Sequence, residues 1–116
     1  METLTIYHNP RCSKSRQALA LLQERGVPLN VVEYLKHPPT REELDSLRDK
    51  IGLPPQQWVR KGEPDFKAAG LTSGSTEVEI LDAMARNPVL IERPIVVRGS
   101  RAVVGRPPER VVELLK

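Results

Sequence analysis

The chain has 116 residues, a length that fits one domain able to bury about two-thirds of the surface its unfolded form exposes. Eighteen Lys and Arg against fifteen Asp and Glu leave a formal charge of +3, a mild excess that suits a small anionic ligand better than a nucleic-acid backbone. Aromatic residues make up only 3% and are scattered, so the stacking platforms of single-strand binders are missing, and no dense basic run appears; no nucleic-acid partner is expected.

In chain order, Leu4-Thr5-Ile6-Tyr7 reads as a short strand. Ala18, Leu19, Leu21 and Leu22 then recur at the spacing of a helix's apolar face, from Ser13 to Arg25, with Gly26 and Pro28 as the stop. Leu29 to Tyr34 is a second, β-branched strand. Strand, helix and strand within about thirty residues make a βαβ unit with parallel strands. Between the first strand and its helix lies Tyr7-His8-Asn9-Pro10-Arg11-Cys12-Ser13-Lys14-Ser15-Arg16, which places the only cysteine at a helix N-terminus and at the strand edge where α/β sheets bind ligands.

A free thiol with pKa about 8.5 is only a few per cent ionised at neutral pH, and lowering that value by two units takes about 2.7 kcal/mol. A helix N-terminus supplies up to about 2 kcal/mol, so further donors or cations are needed. Ser15 can donate its hydroxyl in a Cys-x-x-Ser arrangement, and Arg11, Lys14, Arg16 and a protonated His8 are close in sequence. A buried, inert Cys is the competing reading; the polar string from His8 to Arg16 counts against it.

His37-Pro38-Pro39-Thr40 is a loop, and Thr40 with Glu43 reads as a capping box for a helix through Leu44, Leu47 and Ile51 that stops near Gly52. Pro54-Pro55 opens a helical turn containing Trp58, Val59 and Arg60. A short helix spans Asp65 to Ala69 with Gly70 as its cap, and Thr76 with Glu79 opens another carrying Ile80, Leu81 and Met84. No strand is expected in this stretch, which reads as a helical insertion over about residues 40–88.

The last third changes period. Pro94 to Arg98 and Arg101 to Val104 are β-branched runs joined by Gly99-Ser100, the signature of a type II′ hairpin, and Pro107-Pro108 opens a final amphipathic helix through Val111, Val112, Leu114 and Leu115. The order is βαβ, a helical middle, then ββα: an α/β domain over residues 1–116 with a mixed sheet. One cysteine excludes an internal disulfide, and no Cys/His spacing suggests a metal site. The lack of a leader-like start or a long apolar run predicts a cytoplasmic protein with no membrane association.

These residues carry a resemblance. The βαβ and ββα halves, the thiol at the first helix and the X-Pro before the third strand resemble a thioredoxin-like fold. The segments 7–16, 34–44, Val59-Arg60-Lys61-Gly62-Glu63, 87–97 and Gly105-Arg106-Pro107-Pro108-Glu109 are similar to the glutaredoxin-dependent arsenate reductase family, in its small bacterial branch. The resemblance implies reduction of arsenate to arsenite, in the setting of arsenic resistance. It implies that Cys12 is the nucleophile, that His8 helps lower the thiol pKa and that Ser15 lies near the thiolate. It further implies that Arg60, Arg93 and Arg106 surround the oxyanion and that Pro94 follows a cis peptide bond. Glutathione is then a co-substrate, glutaredoxin the partner that reduces the mixed disulfide, and no cofactor is bound. Guanidinium forks suit a tetrahedral oxyanion approaching a thiolate, because they stay charged and bond bidentately. Two other readings share the fold: a glutathione-linked thiol oxidoreductase with another substrate, and a non-enzymatic Spx-type regulator that binds RNA polymerase. Cys-x-x-Ser in place of Cys-x-x-Cys counts against the regulator.

Overall fold

A computed structural model describes residues 2–116, which fall into two compact units: the chain up to His37 together with Arg93–Lys116, and Pro38–Glu92. The second unit encloses the stretch read as the insertion.

In the first unit, strand β1 (Leu4–His8) lies parallel to β2 (Leu29–Glu33), with Leu4 opposite Leu29 and His8 opposite Glu33, and helix α1 (Ser13–Glu24) connects them. Strands β3 (Ile95–Arg98) and β4 (Arg101–Val104) form an antiparallel hairpin, and β3 runs antiparallel to β1, so the mixed sheet has the order β2-β1-β3-β4. Gly99 has φ +58° and Ser100 does not share a positive φ, the pattern of the type II′ turn that matches strand twist.

The period-2 alternation of β1 buries Leu4, Ile6 and His8 on one face. That alternation draws a polar imidazole into the interior at the strand's carboxyl end. On α1 the buried stripe is Ser15, Ala18 and Leu22, at intervals of three and four, so the first residue of the helix's core face is a serine. Ala18 and Leu22 pack with Leu4, Ile6, Val96, Val111 and Leu114 in the apolar core. The final helix, Pro108–Leu115, is 3-10 and packs on α1. Its buried residues, Pro108, Val111 and Leu114, repeat every three positions, which is the 3-10 period.

In the second unit, α2 (Arg41–Ile51) and α4 (Glu77–Arg86) each begin with a complete capping box, Thr40 with Glu43 and Thr76 with Glu79. Gly52 ends α2 in the left-handed conformation, and Arg41 of α2 pairs with Asp82 of α4 at 2.7 Å. Helix α3 (Pro64–Ala68) is short. Trp58 is fully buried and donates its indole N–H to the Leu53 carbonyl at 3.1 Å. One β-bridge, Val59 with Ile91, stands where the sequence showed no strand; the Arg60 amide donates to Leu90 and the Glu92 amide to Trp58, closing the pair. Two residues of β-branched chain flanked by Pro-rich turns give too short a run to read as a strand. Among the described residues, no helix is long and apolar enough to cross a membrane.

Candidate active site

Cys12 occupies the N-cap of α1, with extended backbone angles (φ −97°, ψ 122°). Two loop hydrogen bonds hold it there: the Cys12 amide donates to the Asn9 carbonyl at 3.0 Å, and the Arg16 amide donates to the Cys12 carbonyl at 3.0 Å. The Asn9 side chain accepts from the Arg11 amide at 3.0 Å, so Asn9 pins the turn from both ends.

Cys12 is largely buried, with 9% of the residue's surface exposed. Burial by itself raises its pKa. The Ser15 amide, the charge of Arg93, the Lys14 amide and a hydrogen bond from Arg93 together outweigh that and hold it below the ordinary thiol value. Both amides belong to the first turn of α1, where backbone N–H groups lack intrahelical partners and favour a negative charge. The sum is a thiol disposed to ionise, next to a guanidinium.

Ser15 and His8 sit in a buried network behind it. Ser15 has no exposed surface and His8 is 6% exposed. The Ser15 Oγ lies 2.6 Å from His8 Nδ1 and accepts the Asn9 amide at 3.0 Å. Burial, assisted by the charge of Arg16, keeps the imidazole below its ordinary value of 6.5, and Glu33 opposes this without reversing it. Because Oγ already accepts from the Asn9 amide, the tautomer that also uses the Ser15 hydroxyl proton has it donated to Nδ1, with the ring proton on Nε2.

Two expectations are corrected here. The Ser15 hydroxyl is committed to His8 and Asn9, and it is the Ser15 backbone amide that faces the sulfur. Burial of His8 on the strand's inner face disfavours the protonated ring expected beside the thiol, and no effect of His8 on Cys12 stands among the causes that lower the thiol pKa.

The arginines divide by unit. Arg93 interacts directly with Cys12, and the Arg93–Pro94 peptide bond is cis. Arg106, which also precedes a cis proline, donates from a guanidinium nitrogen to the Arg93 carbonyl at 3.2 Å. Gly105 makes this possible: its amide donates to the Pro94 carbonyl at 2.8 Å, and an added Cβ would lie 2.8 Å from Pro94 Cγ and 2.9 Å from Val111 Cγ1. Arg60 belongs to the second unit, where it bonds the Val89 carbonyl at 3.2 Å and the Glu63 carboxylate at 2.5 Å.

Sequence reasoning missed Gly105 and the influence of Glu33 on His8. The first had no local signal, since nothing in Val104-Gly105-Arg106 announces a close approach. The second follows from the parallel register that sets His8 opposite Glu33.

A mixed four-stranded sheet with an activated thiol at the first helix N-terminus, facing a cis-proline loop, defines a thiol protein of the thioredoxin-like fold. Comparison with known proteins narrows this: the ArsC family model matches residues 7–114, and the chain belongs to that family. An arsenate reductase of Neisseria meningitidis serogroup A is 43% identical, covering 99% of this chain and all of that one. The Escherichia coli protein YfgD, whose name states no activity, is 45% identical over 95% of this chain and 94% of its own. The solved structure of an arsenate reductase from Vibrio cholerae superposes with a TM-score of 0.91 at 44% identity, covering 97% of both chains.

Proposed function

We propose that this protein reduces arsenate to arsenite with Cys12 as nucleophile, glutathione as co-substrate and glutaredoxin as the partner that restores the thiol. The observation that carries the reading is a cysteine at a helix N-cap whose thiol is held below its ordinary pKa, with the charge and a hydrogen bond of Arg93 among the causes. A nucleophile and an oxyanion receptor in contact are what attack on a tetrahedral anion needs, because the approach of two negative charges must be offset at the reacting atoms.

In the proposed sequence, the Cys12 thiolate forms a bond to arsenic and one arsenate oxygen leaves as water. Glutathione thiolate then attacks the Cys12 sulfur. The sulfur–arsenic bond breaks with its electron pair remaining on arsenic, which falls from the +5 to the +3 state. Two thiols have given up two electrons and are joined as a mixed disulfide. A glutaredoxin thiolate attacks the glutathione sulfur and frees Cys12. The second thiol is external because Cys12 is the chain's only cysteine. Arg93 and Arg106 bind the oxyanion in this scheme; Arg60 takes the same role from the sequence resemblance. His8 and Ser15 act by fixing the loop.

Arsenate-dependent NADPH oxidation in a coupled assay with glutathione, glutaredoxin and glutathione reductase tests the reading. Turnover is expected with the wild type and none above background with Cys12→Ser. A Cys12 that forms the glutathione adduct readily while arsenate turnover stays at the mutant's level moves the assignment to another substrate of the same chemistry.

A further inference from the structure

A cleft of about 240 Å³ opens in the first unit, walled by residues 8–11 on one side and by Glu33, Leu35 and Lys36 on the other. The parallel register sets it at the carboxyl ends of β1 and β2, beside the loop that ends at Cys12. Leu35 is 44% exposed there, an apolar side chain left bare between charges. The Glu33 carboxylate and the Lys36 ammonium lie 3.5 Å apart, both solvent-accessible, and such exposed pairs are weak and exchange partners readily. Among the described residues the Arg11 guanidinium enters no ion pair, although its amide is fixed by Asn9.

From this arrangement we infer that the cleft seats the γ-glutamyl end of a peptide thiol whose sulfur meets Cys12. The inference rests on the glutathione-linked reading above and deepens it by assigning the residues that choose the thiol. A γ-glutamyl group carries an ammonium and a carboxylate on one carbon at the end of a short aliphatic arm. Glu33 faces the ammonium, Arg11 and Lys36 face the carboxylate, and Leu35 with Pro10 covers the arm. The volume is below the roughly 300–1,000 Å³ of pockets that enclose whole ligands, which fits one arm of a tripeptide. Reach agrees as well. Pro10 and Arg11 stand two and one residues from Cys12, so the wall is within about 8 Å of it along the chain, and two residues of peptide extend roughly 7 Å.

The test is thiol–disulfide exchange, in which the Cys12 thiolate attacks one sulfur of a disulfide and the other sulfur leaves as a thiolate. Rates are measured with glutathione disulfide and with the disulfide of cysteinylglycine, which lacks the γ-glutamyl group, for the full chain and for Lys36→Glu and Leu35→Glu. A wild-type preference for glutathione disulfide of about tenfold, falling below about threefold in both variants, is expected. Equal wild-type rates, or a preference unchanged in the variants, overturns the proposal. Arsenate turnover on the same samples separates the two readings: turnover without the preference sinks the cleft alone, and the preference without turnover sinks arsenate as substrate and keeps the cleft.

Discussion

Replacing Gly105 with Ala is the sharpest available test of how the site is packed. The added Cβ would lie 2.8 Å from Pro94 Cγ and 2.9 Å from Val111 Cγ1, closer than carbon atoms sit in ordinary contact. Neither neighbour can swing aside: Pro94 is a ring in the chain itself, and Val111 is fully buried in the core. The Gly105 amide also holds the Pro94 carbonyl, so retreat of the 104–106 backbone would stretch a 2.8 Å hydrogen bond. Overpacking of this kind costs about 1–3 kcal/mol, against a gain of about 0.4–1 kcal/mol from a stiffer unfolded chain, so steric cost wins. Unfolding entropy near 2.1 cal/mol/K per residue gives about 0.24 kcal/mol/K for this length, so a net loss of roughly 0.6–2 kcal/mol lowers Tm by roughly 2–8 °C. Thermal unfolding followed by circular dichroism reads this directly. Gly62→Ala is the control, since nothing lies within 4 Å of its added Cβ and its φ is not positive. A Gly105→Ala melting temperature equal to that of Gly62→Ala would refute the packing described.

Three further outcomes follow from the site. Arg93→Ala removes both a charge and a hydrogen bond from the thiolate, an interaction of about 1.5–3 kcal/mol, so alkylation of Cys12 by iodoacetamide at pH 6.5 should slow about tenfold or more; an unchanged rate contradicts the Arg93–Cys12 contact. Ser15→Ala leaves a buried imidazole nitrogen and the Asn9 amide without their partner, and urea unfolding should show a loss of about 1–3 kcal/mol, whereas a surface-like effect under 0.5 kcal/mol would mean the network carries no weight. His8 stays neutral in the folded state below the pH at which it protonates when unfolded, so the unfolded state binds more protons there and stability falls as pH drops below about 6.5. The stability of the wild type relative to His8→Gln should therefore shrink between pH 7.5 and 5.5, by at most about 1.4 kcal/mol per pH unit; a constant or growing difference argues against a buried neutral imidazole.

Much of this site was legible before any coordinates. The strand–loop–helix that carries Cys12, the capping boxes at Thr40 and Thr76 and the Gly99-Ser100 turn are all set by interactions within a few residues, so local sequence reports them. Arg60, Arg93 and Arg106 could be singled out only through family resemblance, because a charged residue beside an element boundary looks the same in sequence whether it faces solvent or a thiol.

What the amino-acid order determined was the place of the sulfur at a helix start, the alternation that turns His8 inward and the lack of a second cysteine. Folding in three dimensions decided which partners those groups have. It turned the Ser15 hydroxyl toward His8, set Glu33 in register beside that ring, brought Arg93 to Cys12 and pressed Pro94 and Val111 against Gly105. The reason is range: caps and turns depend on neighbours three or four residues apart, whereas burial and charge act between atoms that only the packed sheet brings within a few ångströms of one another.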